Sequence, residues 1–228
     1  MDFMRLLKSL EELLYEILSW LVFYPLTFWR AVTQPLRMMR YADDELEDRP
    51  EDQYDDTISP PLFLLITLLL SQALSTAFPS GAPSAEVNAL THSQSNLLIL
   101  RGVVFGIFPM VMAVTLIRNK GLILTRSTLR PPFFSQCYVA APFVFLIGLS
   151  VDCLLIPADR GLPYAAAIFL GAVVWYGQAE IRWFRRDLGL GGIRATGLFL
   201  LAFSVAITAA LALAVGVALQ LPRWTAPG

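Results

Sequence analysis

Four apolar runs of membrane-crossing length and a shorter fifth alternate with loops whose positive charge is one-sided. The runs cover 62–78, 97–117, 133–156, 164–181 and 195–221. A helix rises about 1.5 Å per residue, so roughly 20 residues cross a hydrocarbon core of ~30 Å. Arg118, Lys120, Arg126 and Arg130 lie between the second and third runs, and Arg182, Arg185, Arg186 and Arg194 between the fourth and fifth. The other two connections carry no basic residue (79–96) and Arg160 alone. Basic loops stay on the cytoplasmic side. The pattern therefore predicts a cytoplasmic N-terminus, five crossings and an external C-terminus. The expected fold is all-α: a polytopic membrane bundle of about five transmembrane helices.

Composition agrees. With 228 residues, 56% of them hydrophobic and 15% charged, the chain fits one bundle and no separate soluble domain. Its 15 arginines against two lysines suggest a GC-rich bacterial genome, and so a bacterial inner (plasma) membrane. Cys137 and Cys153 share one run; sixteen helical residues hold them about 24 Å apart, beyond disulfide reach. Both read as buried or lipid-facing thiols. No cleavable signal is expected, because charges interrupt the first apolar residues.

Three segments follow from the charge pattern: an amphipathic region (1–41), an acidic cytoplasmic linker (42–59) and the bundle (60–228). In the first, Phe3, Leu6, Leu7, Leu10, Leu13, Leu14, Ile17, Leu18 and Leu21 recur at helical spacing, with Arg5, Lys8, Glu11, Glu12 and Glu16 opposite. Such a helix lies in the membrane interface. Trp20, Phe23, Tyr24, Phe28 and Trp29 favour headgroup depth. Pro25 is expected to break or kink the helix there, and Glu16 with Pro25 argues against a crossing at 13–29. The second segment holds Asp43, Asp44, Glu45, Glu47, Asp48, Glu51, Asp52, Asp55 and Asp56 against Arg49. Without apolar periodicity it reads as a mobile linker and a contact for a basic protein partner. Ser59-Pro60 reads as the cap and first position of the next helix.

Within the bundle, Arg101 lies four residues inside the outer end of the second run and Asp152 four residues inside that of the third. Opposite helix directions bring them to one depth, so they are the candidate intramembrane ion pair; charges inside a span are functional candidates. Pro109 and Pro142 match in depth and are the candidate helix kinks, each removing a backbone hydrogen bond. Gly102-x-x-x-Gly106, Ala167-x-x-x-Gly171 and Ala212-x-x-x-Gly216 carry the small-residue spacing of close helix contacts. Glu180, beside Arg182, Arg185 and Arg186, reads as an interfacial counter-ion. Loop 79–96, with the lone His92, reads as a flexible external connection. No metal, phosphate-binding or nucleophile motif is present, so neither catalytic residues nor cofactors are assigned. The basic loops fit anionic lipid rather than nucleic acid.

Tyr24-Pro25-Leu26-Thr27-Phe28-Trp29-Arg30 with Gln34-Pro35, then Tyr54-Asp55-Asp56 through Ser59-Pro60-Pro61-Leu62, then Trp183-Phe184-Arg185-Arg186 with Leu188 through Arg194 stand in that order. This order resembles the Yip-type family of five-span membrane proteins. The likeness covers about residues 20–221. It implies a five-helix bundle without catalytic residues. Eukaryotic members bind Rab-type GTPases; here Ser59-Pro60 replaces a Gly-Pro and no long cytosolic domain precedes the bundle, so that partner does not carry over. The sequence therefore points to a non-enzymatic protein that organises the membrane or binds a partner. The alternative is a small transporter or channel working as a homo-oligomer.

Overall fold

The structure is a computed structural model describing residues 2–50, 52–77, 94–154, 156 and 161–224. These residues form seven helices and no strand: α1 (Asp2–Thr33), α2 (Pro35–Glu45), α3 (Pro60–Ala77), α4 (Gln94–Asn119), α5 (Arg126–Leu154), α6 (Gly161–Asp187) and α7 (Gly192–Trp224). Four helical segments are long and apolar enough to cross a membrane: Gly102–Asn119, Arg126–Leu154, Gly161–Asp187 and Gly192–Gly216. The chain is thus an all-α integral membrane protein. The expected run at 62–78 falls on α3, which is shorter, and Phe78 and most of loop 79–96 with His92 lie outside the described residues.

Local chemistry sets the boundaries. Gln34 precedes a proline, which disfavours the helical region, and its φ of −133° and ψ of 54° divide α1 from α2. Pro60 opens α3, where Phe63 N–H donates to the Ser59 carbonyl at 2.8 Å. After α4 the chain turns through Gly121 at φ 68°, and Leu122 N–H reaches back to the Ile117 carbonyl at 3.2 Å. That is the left-handed glycine stop of a helix C-terminus. Thr125 and Thr128 cap α5 reciprocally: each backbone N–H donates to the other's hydroxyl, at 2.9 and 3.2 Å.

The central helix is α5, which packs against α2, α3, α4 and α6, while α7 closes the bundle on α4 and α6. Residues 135–144 of α5 are all buried. Around them the Phe143 and Tyr176 rings stack at 4.4 Å, and Phe108 and Phe203 meet Phe143 at 5.4 and 6.1 Å. Aromatic pairs of this kind add about 0.5–1.5 kcal/mol each beyond area burial. A Cβ would lie 2.3 Å from Ser71 Oγ of α3 at Gly148 of α5, 2.6 Å from the Cys153 carbonyl at Gly161 of α6, and 3.1 Å from the Phe199 ring at Gly177 of α6. By contrast, a Cβ at Gly102, Gly106, Gly171 or Gly216 would meet nothing within 4 Å, so these glycines make no close contact among the described residues.

Two expectations are corrected. Of the break or kink expected at Pro25, the break does not occur, because α1 runs through it. A proline removes one intrahelical bond, and the helix is pinned there: Tyr24 OH donates to Thr67 Oγ1 at 3.1 Å, and the Tyr24 and Phe28 rings meet Phe63 at 5.4 and 6.2 Å. The acidic segment is not a free linker either. Asp43, Asp44 and Glu45 belong to α2, and Tyr54, Thr57 and Ile58 after it are buried. Charge density concealed these anchors, and the domain division expected at 42 falls inside a helix. On α1, Leu7, Leu10, Leu13, Leu14, Ile17, Leu18 and Leu21 are all exposed, so no part of the described chain covers that stripe.

Candidate functional site

At the end of the bundle where α4 joins α5 and α6 joins α7, the acidic segment forms a strap held by individual hydrogen bonds. Ser135 Oγ donates to Asp43 Oδ1 at 2.6 Å. Asp56 accepts from Tyr41 OH at 2.6 Å and from Arg30 Nη1 at 2.8 Å. Thr57 donates to Tyr41 OH at 3.1 Å and stands 3.2 Å from Tyr138 OH, which donates to the Ile58 carbonyl at 2.8 Å. Glu45 accepts the Tyr54 N–H. Tyr54 has φ 63°, a left-handed backbone that a bulky residue adopts at a cost of about 1–3 kcal/mol. Besides that bond, its hydroxyl on the Ala42 carbonyl (3.3 Å) and its ring beside Tyr41 and Phe134 (6.2 and 6.5 Å) hold it there.

Three of the nine acids are therefore anchors: Asp43, Glu45 and Asp56. Asp44, Glu47, Asp48, Asp52 and Asp55 are exposed, and Glu51 lies outside the described residues. Electrostatics differ between the anchors. Burial opposes ionisation of Asp56, but the hydrogen bonds from Tyr41 and Arg30 together outweigh it and hold its carboxyl below the usual range. Burial also raises the Tyr41 phenol, with the bond to Asp56 adding to it. For Asp43, burial dominates and raises the carboxyl; the Ser135 bond opposes this, Asp187 adds to it and Lys120 opposes it. A carboxyl raised in the folded state contributes stability below its unfolded pKa and loses it as pH rises through the folded one. Asp43→Asn keeps the acceptor for Ser135 and removes that titration. Thermal unfolding in detergent from about pH 4 to pH 8 should therefore show a smaller alkaline-side loss in the variant; an unchanged profile would refute the coupling.

The intramembrane residues behave differently from one another. Asp152 is buried at 3% exposure and accepts from Ser75 Oγ of α3 at 2.9 Å. The Arg101 side chain lies outside the described residues. Pro109 and Pro142 sit inside continuous helices and are both buried.

Glu180 was misread from sequence. It is fully buried on α6 and accepts from Gln136 Nε2 of α5 at 3.0 Å. Tyr176, one turn earlier, brings its hydroxyl to the same cluster without an aligned bond, and Glu180 Oε1, Gln136 Oε1 and Trp183 Nε1 likewise lack partners among the described residues. Helical phase was the available signal. Ala172, Tyr176, Glu180 and Trp183 repeat at three and four residues on one face, whereas Arg182 and Arg186 fall on the other side. Nearer the loops, Lys120 and Asp187 pair at 2.7 Å.

Among the described residues no group of three His, Cys, Asp or Glu side chains is placed to hold a metal ion, and Cys137 and Cys153 are unbridged. Compared with protein-family models, with curated proteins and with solved structures, the chain matches none.

Proposed function

We propose that this is a non-enzymatic membrane protein that organises the membrane or binds a partner, with its acidic strap as the partner-binding element. The observation that carries this reading is the strap itself: the hydrogen bonds of Asp43, Glu45 and Asp56 and the buried Tyr54, Thr57 and Ile58 hold the segment in place, while Asp44, Glu47, Asp48, Asp52 and Asp55 are exposed. A pinned array of carboxylates binds a basic partner without the ordering entropy that a free linker would lose. The exposed apolar stripe of α1 supports interfacial attachment. The exposed Arg118, Arg126, Arg185 and Arg186 at the strap's end of the bundle support contact with anionic lipid on the cytoplasmic side. The basic-loop bias supports an N-terminus inside and a C-terminus outside, and the arginine-rich composition a bacterial inner membrane. The resemblance to Yip-type proteins agrees with this reading.

The second reading is a small oligomeric transporter or channel. It is favoured by two buried carboxyl groups on span-length helices, Asp152 and Glu180, because polar groups at such positions mark conduction or proton pathways. Crosslinking in membranes followed by co-purification separates the two. A stable heterologous protein that is lost when the five outward acids are neutralised supports the first. A self-associated complex that conducts in liposomes, with no heterologous partner, overturns it in favour of transport.

A further inference from the structure

Between α1 and the turn leading into α3 lies a cavity of about 370 Å³, whose walls include Tyr15, Glu16, Trp20, Phe23, Tyr54 and Asp55. Four of these are aromatic and two are carboxylates; among the described residues no lysine or arginine lines the cavity. Trp20 Nε1 donates to Glu16 Oε1 at 3.1 Å, which orients indole and carboxylate together and leaves Glu16 Oε2 without a bond among the described residues. Asp55 is exposed and makes no bond among them either. On the opposite wall Tyr54 is fixed by Glu45, Ala42 and its ring neighbours, so that wall is built before any ligand arrives.

Aromatic faces carry negative potential and attract cations lying within about 6 Å of the ring centroid. Added carboxylates select a cation with hydrogen-bond donors. A metal ion has no charged cage here, since among the described residues no group of three His, Cys, Asp or Glu side chains converges. A phosphate or a zwitterionic headgroup would meet two carboxylates and no basic group. Arginine fits best, being planar, weakly hydrated and able both to stack on a ring and to fork onto a carboxylate. The exposed Glu47, Asp48 and Asp52 on the same strap would take further basic residues of the same chain. We propose that this cavity is the specific subsite for an arginine side chain of a basic protein partner, engaged by Trp20 and the carboxylates of Glu16 and Asp55. The proposal deepens the partner-binding reading above and rests on it.

The test uses the full chain in detergent and a capped nonapeptide carrying three arginines, with a citrulline version as the uncharged isostere. Binding is read by calorimetry, and in parallel by tryptophan fluorescence. The arginine peptide should bind in a salt-sensitive way, and the citrulline peptide at least about tenfold more weakly. Glu16→Gln with Asp55→Asn should weaken the arginine peptide by about tenfold or more, as should Trp20→Leu, whereas Trp20→Phe keeps a ring and most of the affinity. Glu47→Gln with Asp48→Asn should change it by less than about threefold. Equal losses from the two acid pairs would overturn the cavity and leave the basic-partner reading standing. Failure of the unaltered chain to bind the peptide would overturn both. Displacement of the peptide by phosphatidylcholine vesicles, but not by excess salt-matched buffer, would overturn the arginine assignment in favour of a lipid headgroup. Both members of the double variants are exposed, so folding is preserved in the deciding comparison.

Discussion

Gln136→Leu should lower the thermal stability of the detergent-solubilised chain more than the double variant Gln136→Leu/Glu180→Leu does. The single change strips the carboxyl of Glu180 of its Gln136 donor at 3.0 Å, in a position with no exposure to solvent. An acceptor left unsatisfied in the interior costs about 1–3 kcal/mol, and more when it is charged. Removing both partners replaces two polar groups by apolar ones, which is often close to neutral. The interaction energy in that cycle should therefore be non-additive by about 1 kcal/mol or more. Simple additivity would mean that Glu180 finds another partner when Gln136 is gone. Glu180→Gln discriminates further: if the carboxyl matters only as a packed hydrogen-bonding group, this variant keeps stability and phenotype alike. Retained stability with lost phenotype would shift the balance towards transport.

Tyr138→Phe should free the strap while leaving the bundle folded. The change deletes the donor to the Ile58 carbonyl (2.8 Å) and the hydroxyl 3.2 Å from Thr57, both buried, while keeping the ring that meets Phe63 at 5.8 Å. A loss of about 1–2 kcal/mol raises local opening by about 5- to 30-fold. Amide exchange across 54–58 should accelerate accordingly, with α7 unchanged. Rapid exchange over 54–58 in the unaltered chain would show that the strap is not docked in solution.

Much of the bundle could be read directly from the chain, because span-length apolar runs have few other ways to satisfy their backbone. The runs at 97–117, 133–156, 164–181 and 195–221 fall on α4, α5, α6 and α7. The strap was hidden for a different reason. Nine acids dominate any local average, yet what orders the segment is a handful of hydroxyls and rings, and the receiving groups Ser135 and Tyr138 stand 92 and 80 residues downstream of their partners. No local window contains both sides of such a bond. Glu180 was missed because neighbouring arginines drew attention to chain proximity, whereas in a helix the face decides the company a side chain keeps. Asp152 was legible as a buried charge but not as a group bonded by Ser75, since a hydroxyl gives no distinctive signal in an apolar run.

The placement of α5 at the centre has a consequence for the order of assembly. The N-terminal region leaves the ribosome first, yet its docking site is made much later: Asp43 waits for Ser135, Thr57 for Tyr138, and the carbonyl of Val32 for the indole of Trp175, 143 residues on. Contacts so distant in sequence form slowly, because a long loop must close before any of them adds stability. During synthesis, then, Met38, Met39, Tyr54 and Ile58 spend the interval without the neighbours that cover them in the finished molecule. The strap's surplus of negative charge, with like charges repelling one another, keeps that unfinished segment apart from other nascent chains until α5 arrives.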